Sequence, residues 1–321
     1  MFMSRILAIT GGSGYLAKSL MNYLNSREDR IFDEYITLDI RETEYPEGLP
    51  VTFYKVDVRE DFSKILKDHS VTDVLHMAWI LSPTHNRKMA YSVDIQGTKN
   101  VLKMVEKSDI EYLLHTSSTL AYDAHPDNPY PLKETDILRG NKGFHYSYHK
   151  MIAEEIISDF KLEHPDLAIG VVRPSAILSF ELDNYVADIL RCGWRTMFMM
   201  PYPNAETPIQ FLHLFDAIQG FILILEKRLA GIYNLTPIKD VKLGDIPSIL
   251  NERGIKLPLR LLKFMVAIQW MLRLSRAPPS YLDFVAYPFV AANDKLRNFG
   301  FTPQYSTREP ILSVKYGDPQ P

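Results

Sequence analysis

The tightest constraint on this chain lies in the nine residues Thr10 to Lys18, TGGSGYLAK. An apolar run, Ile6-Leu7-Ala8-Ile9, leads into them, and Tyr15, Leu16, Ser19, Leu20, Tyr23 and Leu24 follow at helical spacing. A strand that enters a glycine turn and leaves as a helix is the context in which such a motif carries meaning. Gly11 can take backbone angles closed to other residues. Gly14 has no Cβ, so an anion can come close to the helix start, where free N–H groups and the helix dipole favour negative charge. Ala17 stands where a third glycine often sits, and a small residue suffices there for helix–strand packing. Taken alone, the motif is also what an ordinary glycine-rich turn looks like.

The sequence after the turn repeats the same alternation. Tyr35 to Leu38, Val51 to Val56, Val74 to Met77, Tyr112 to Thr116 and Val171 to Pro174 read as strands. Helical stretches run over Asp61 to Lys67, Lys88 to Val105 and Tyr146 to about Leu162. Strands alternating with helices imply right-handed crossovers and a parallel sheet, and in such sheets ligands bind beyond the carboxyl ends of the strands. Gly11, Asp39, Asp57, Ala78 and Ser118 all fall at such ends. The expected fold is therefore α/β, a doubly wound parallel sheet of Rossmann type with a smaller, mostly C-terminal lobe. The boundaries expected are 1–175 for the nucleotide-binding part, with 206–240 returning to it, and 176–205 with 241–321 for the lobe. The 321 residues suffice for both parts.

Asp39 lies about 22 residues beyond Ala17, close to the spacing at which an acid binds an adenosine ribose. A carboxylate there accepts from both ribose hydroxyls and repels a 2′-phosphate. The expected cofactor is therefore NAD rather than NADP.

Net charge is −3, which leaves no electrostatic footprint for nucleic acid. The one cysteine, Cys192, cannot form an intramolecular disulfide and suits a reducing compartment. No run reaches the length of a membrane span and the N-terminal apolar run is too short for a signal peptide, so a cytoplasmic protein is expected.

Tyr146 and Lys150 form a Tyr-x-x-x-Lys pair at the start of a helix, downstream of the Ser117-Ser118-Thr119 strand end. With 18 tyrosines in the chain, such a pair should arise about once by chance, so its position is what matters. An i, i+4 spacing places the lysine on the face of the tyrosine. One ammonium at about 4 Å contributes about 4 kcal/mol at an effective dielectric near 20, which corresponds to lowering a phenol by about three pKa units. Tyr146 is then expected to exchange a proton with an alcohol or carbonyl, with Ser118 positioning the substrate oxygen and Lys150 also reaching the nicotinamide ribose.

These features together resemble the extended short-chain dehydrogenases/reductases, the NAD-dependent epimerase/dehydratase group, over roughly residues 5 to 240. The resemblance rests on residues 10–17, Asp39, Val56-Asp57-Val58, His76-Met77-Ala78, Gly97-Thr98-Lys99-Asn100, residues 117–122, residues 146–150, Arg173-Pro174, residues 211–216 and residues 231–234. It implies Ser118, Tyr146 and Lys150 as the catalytic set. It implies a cofactor groove made by Gly11, Gly14, Tyr15, Leu16, Asp39, Met77, Ala78, Trp79, Thr116, Arg173 and Pro174, with Asp57 and Val58 at the adenine. Ile80, Thr119, Ile177 and Trp194 are its candidate substrate contacts. It also implies a homodimer through the helices around 88–107 and 146–162. Four residues depart from the family pattern: Ala17, Asp94 where many relatives have asparagine, Asp123 where a glycine usually follows the tyrosine, and Ala176 where sugar-nucleotide enzymes often carry an asparagine. The last makes a nucleotide-sugar substrate less expected.

The lobe segments are apolar and aromatic: Trp194, Met197, Phe198, Met199, Met200 and Tyr202, then Leu261, Phe264, Met265, Trp270, Met271, Tyr281, Phe284 and Tyr287. With few basic residues among them, they suggest a weakly polar alcohol or ketone. Leu259 to Leu274 is a helix too short and too charged to span a membrane; it is expected to cap the substrate pocket, the other reading being a helix on a membrane surface. His145 and His149 are spaced as a ligand pair, but no third ligand is apparent and no metal site is expected. An NAD-dependent oxidoreductase or epimerase is the first reading of the chain. The alternatives are a nucleotide-sugar epimerase and, in another class, a non-catalytic nucleotide-sensing protein.

Overall fold

A computed structural model describes residues 4–319 except 183–185, 189, 192–197 and 203, with 198–202 described by backbone alone. The sequence candidates Cys192, Trp194 and Met197, and the side chains of Phe198 to Tyr202, lie outside the described residues.

Six strands and five helices come first: β1 (Ile6–Thr10), α1 (Tyr15–Ser26), β2 (Glu34–Asp39), β3 (Val51–Lys55), α2 (Ser63–Asp68), β4 (Asp73–His76), α3 (Arg87–Tyr91), α4 (Gly97–Glu106), β5 (Tyr112–Thr116), α5 (His145–Glu163) and β6 (Ala168–Pro174). Then follow β7 (Ala176–Leu178), β8 (Phe198–Tyr202), β9 (Pro208–Ile209), β10 (Phe211–His213), α6 (Leu214–Glu226), β11 (Gly231–Leu235), β12 (Val241–Lys242), β13 (Gly254–Pro258), α7 (Leu259–Met271) and α8 (Arg308–Tyr316).

The main sheet has seven strands in the order β11-β6-β5-β4-β1-β2-β3, and every pairing in it is parallel. The reversal of strand order beside β1 opens a crevice between β1 and β4, where the glycine turn emerges. Both faces of the sheet are covered, so the central strands bury side chains on both faces rather than alternating buried with exposed ones. Leu7, Ile9, Leu75, Leu114 and Val172 pack under α1 and α6 on one face. Ala8, Val74, Leu113 and Val171 pack under α2, α4 and α5 on the other. β11 returns the chain to the sheet edge, while β7 pairs with β10 and β8 with β13 outside it. A separate apolar cluster, including Leu178, Val186, Leu190, Ile246 and Ile311, fills the C-terminal lobe.

The single helix expected over Lys88 to Val105 is broken. Residues Ser92–Gln96 form a wide π-type turn between α3 and α4. The turn carries Asp94 inward, where it is fully buried, accepts from Ile80 N at 2.9 Å and meets His149 Nδ1 at 2.8 Å. Helical π-turns often mark functional sites. Asp123 takes φ 61° and ψ 166°, a backbone region that glycine enters freely and other residues rarely do. Its carboxylate holds it there by accepting from Ala124 N at 2.8 Å and Asn141 Nδ2 at 3.1 Å.

Candidate active site

β1 delivers the glycine turn to the crevice. Gly11 sits at φ +73°, and a Cβ built on it would lie 2.7 Å from the Ala78 backbone N. Only glycine lets the turn lie against the end of β4. Gly14 is the N-cap of α1 with no side-chain cap, and the first turn holds no acidic residue. The helix therefore presents uncapped N–H groups to the crevice, as an anion site requires. At the tip of β2, Asp39 accepts from Ser13 N at 3.1 Å and Arg41 N at 3.2 Å, which pins its carboxylate beside the turn.

A cavity of about 210 Å³ runs from this turn across the strand ends. Gly11, Gly14, Tyr15 and Leu16 line it at one end, and Met77, Trp79, Thr116, Ser118, Tyr146, Lys150, Pro174 and Ile177 continue the wall. Twelve of the candidate residues from sequence thus share one cleft. Leu81, Leu120, Ala176, Leu182 and Val186 complete it with apolar surface, and Lys150 is its only charged side chain among the described residues.

Ser118 ends β5 in extended backbone and caps the turn that follows, accepting from Leu120 N at 3.2 Å. The Ser118 hydroxyl lies close enough to the Tyr146 phenol to influence its titration, and it donates to Pro174 O at 3.4 Å. Lys150 Nζ lies 5.7 Å from the Tyr146 ring centroid, donates to Thr116 O at 2.5 Å and rests on the face of Trp79 at 3.4 Å. The three side chains converge. Their protonation differs from the sequence expectation, however. Burial pushes the Tyr146 phenol up to about 12, with the nearby Ser118 hydroxyl a smaller opposing influence. Burial pulls the Lys150 ammonium down to about 7, against the attraction of Asp94 and Glu154. A lysine that is itself desolvated cannot hold a neighbouring phenol low, so the expected lowering of Tyr146 is not found.

Several candidates are not in the cleft. Arg173 is turned away from it: Nη2 and Nε pair with Glu154 of α5 at 2.6 and 2.9 Å, and Nη1 donates to Tyr122 at 2.6 Å. A side chain locked under the helix in this way does not reach a cofactor in the cleft. Asp57 is ion-paired with Arg59 at 2.5 Å, which holds its carboxyl below the usual range, and Val58 packs against Gly97. Ala78 meets the glycine turn through its backbone. Ile80 and Thr119 do not line the cleft; Ile80 N is held by Asp94 and the Thr119 side chain is buried. Nor does any residue of α7, so the helix does not cap this pocket: Leu261, Phe264 and Met271 are exposed. Tyr281 and Phe284 instead pack against Phe144.

The cleft holds polar groups that a bound cofactor would satisfy. Trp79 Nε1, Thr116 Oγ1 and Ser175 Oγ are buried, belong to residues that line the cleft and have no hydrogen-bond partner among the described residues. Buried polar atoms left unpaired in this way are costly unless a ligand satisfies them.

The family description "NAD dependent epimerase/dehydratase family" matches residues 7–236. The chain belongs to this family. The human short-chain dehydrogenase/reductase family 42E member 1 is 26% identical over 248 residues, a match covering 68% of this chain and 57% of that protein. The N-acetyl-alpha-D-glucosaminyl-diphospho-ditrans,octacis-undecaprenol 4-epimerase of Escherichia coli O157:H7 is 26% identical over 176 residues, covering 54% of this chain and 50% of that enzyme. The chain thus spans little more than half the length of these relatives. Among solved structures, the UDP-glucose 4-epimerase of Thermus thermophilus in complex with NAD superposes with a TM-score of 0.73 at 20% identity, covering 97% of this chain and 98% of that one. That likeness shows the fold.

The lobe residues Leu182 and Val186 were missed in the sequence, because they enter the cleft from a segment with no motif of its own. Asp94 was noted only as a departure. Its engagement with His149 needs the π-type turn, which helical periodicity does not announce.

Proposed function

We propose that this member of the family is an NAD-dependent oxidoreductase that interconverts a secondary alcohol and a ketone on a weakly polar substrate. The observation that carries the reading is the convergence of Ser118, Tyr146 and Lys150 on the same cleft as the uncapped start of α1. Bound NAD would supply the hydride acceptor at its nicotinamide ring. The glycine turn and the α1 N-terminus would hold its pyrophosphate and Asp39 its ribose hydroxyls, which favours NAD over NADP.

Ser118, fixed by its capping bond, orients the substrate oxygen toward Tyr146. The phenol, pushed up to about 12, keeps its proton at neutral pH and so is ready to give it to a carbonyl oxygen. In the oxidative direction Tyr146 must first lose that proton, a step helped by positive charge brought in beside it. Lys150, with a value of about 7, carries such a charge only in its protonated fraction, 5.7 Å from the Tyr146 ring.

Substrate polarity follows from the wall. A nucleotide-sugar diphosphate needs convergent cations, and Lys150 is the one charged lining residue among those described. Intact Ser118, Tyr146 and Lys150 weigh against a purely nucleotide-sensing role. Turnover of a panel of secondary alcohols and UDP- and dTDP-sugars with NAD, followed by NADH absorbance and by product analysis, tests the reading. Turnover of the sugar nucleotides alone would replace it with epimerase chemistry. We further propose a homodimer through the α3–α4 segment and α5, which carry exposed Met89, Tyr91 and Leu162; sedimentation velocity reads it directly.

A further inference from the structure

The long apolar stripe on α7 has no covering element among the described residues. Leu261, Phe264, Ile268, Met271 and Leu272 recur at i, i+3, i+7, i+10 and i+11 and occupy one face of the helix. All are exposed, Phe264 by 64% and Met271 by 73%, and Leu274 beyond the helix end by 75%. Large apolar groups so exposed and contiguous mark an interaction surface.

The charge around the stripe says what it meets. Residues 253–282 contain Arg253, Lys256, Arg260, Lys263, Arg273 and Arg276 and no acidic residue, in a chain whose net charge is −3. Two of these six are ion-paired with acids from elsewhere, Lys263 with Asp283 and Arg276 with Asp188, and Lys256 acts on the charge of Glu206. The others keep the strip basic. Beside the end of α7 lies an open basin of about 600 Å³, lined by His85, Asn86, Arg273, Ser275 and Arg276 and floored by Trp270. Trp270 is held flat by stacking on His85 at 3.9 Å. No acidic side chain lines the basin among the described residues, and its donors suit an anionic oxygen. Arg273 occupies a left-handed position, φ 59°, at the helix end where glycine is the usual residue.

We infer that α7 and residues 272–276 dock the protein on an anionic phospholipid bilayer, with the apolar stripe in the acyl boundary and the basic rim and basin on the headgroups. A helix with an apolar face and basic flanks lies in the plane of such an interface. A second copy of the chain is a poorer occupant, because a two-fold contact sets the same cations against one another. The position also bears on the cleft. Leu81, which lines its rim and is 57% exposed, precedes by two residues the Pro83 that lines the basin. On the proposed oxidoreductase reading, the substrate class is then an apolar alcohol or ketone taken from the lipid.

Co-sedimentation of the full chain with phosphatidylcholine vesicles, with and without phosphatidylserine, tests the docking. Binding is expected with phosphatidylserine and weakened by salt. Phe264→Asp combined with Met271→Asp should lower affinity at least about tenfold while the far-ultraviolet spectrum and melting temperature stay unchanged. Arg260→Glu combined with Arg273→Glu should erase the preference for phosphatidylserine. Wild-type protein left in the supernatant, equal binding by the aspartate variant, or a dimer that this variant converts to monomer would overturn the inference. The readout needs neither cofactor nor turnover, so vesicle binding without any dehydrogenase activity would refute the proposed function and leave the docking intact.

Discussion

Replacing Lys150 by methionine should stabilise the protein while removing its chemistry. Burial takes the Lys150 ammonium from its ordinary 10.5 down to about 7. At about 1.36 kcal/mol per pH unit, keeping that charge in the folded state costs about 5 kcal/mol below pH 7. The Trp79 face returns about 2 kcal/mol of this, and the carbonyl of Thr116 loses a hydrogen bond worth about 1 kcal/mol when the ammonium goes. Methionine, with a similar stem and no charge, should therefore gain about 2 kcal/mol. The pH dependence gives the sign independently. Folding lowers the lysine's proton affinity, so the penalty is full below pH 7 and fades as pH rises from about 7 to 10.5, where only the unfolded chain still holds the proton. Wild type should thus gain about 2 kcal/mol on the variant between pH 7 and pH 9. Urea unfolding of both proteins at the two pH values, followed by circular dichroism, measures it. A variant less stable than wild type at pH 7, or a gap that does not narrow by pH 9, would refute the burial argument.

Other substitutions probe the remaining parts. Arg173→Met leaves the buried Glu154 carboxylate without its partner and should cost about 3–5 kcal/mol in denaturant unfolding, with NAD affinity of the folded protein unchanged. Gly11→Ala forces a side chain into the left-handed region and a Cβ against the Ala78 backbone, so it should lose about 2–4 kcal/mol of stability and cofactor binding in fluorescence titration. Asp39→Asn removes the charge that repels a 2′-phosphate, and the ratio of NADP to NAD affinity should rise at least about fivefold by calorimetry.

Residues whose role depends on position along the chain were legible before the structure. The strand, turn and helix at 6–26 carry their own periodicities, and Ser118, Tyr146 and Lys150 meet because a parallel sheet sends every strand end to one rim. What the sequence hides is direction and burial. Arg173 sits one residue from Pro174, yet alternation along β6 turns its side chain under α5 to Glu154 while Pro174 faces the cleft. The phenol of Tyr146 titrates high because it is itself buried, and an i, i+4 spacing reports nearness but not desolvation. Asp123 holds a backbone that glycine favours, and only coordinates reveal that its side-chain hydrogen bonds replace glycine's freedom. The apolar stripe of α7 was visible as a period. Which side of it the fold would leave uncovered was not.

The most direct measurement is the turnover of Tyr146→Phe. The substitution keeps the ring stacked on Phe144 and removes only the hydroxyl beside Ser118. NAD should still bind within about threefold of wild type by fluorescence titration, because the glycine turn and Asp39 are untouched. NADH formation from every alcohol the wild type oxidises should fall by about 10²–10⁴-fold. Turnover that survives the loss of this one hydroxyl would contradict the assignment of Tyr146 as the group that moves the proton.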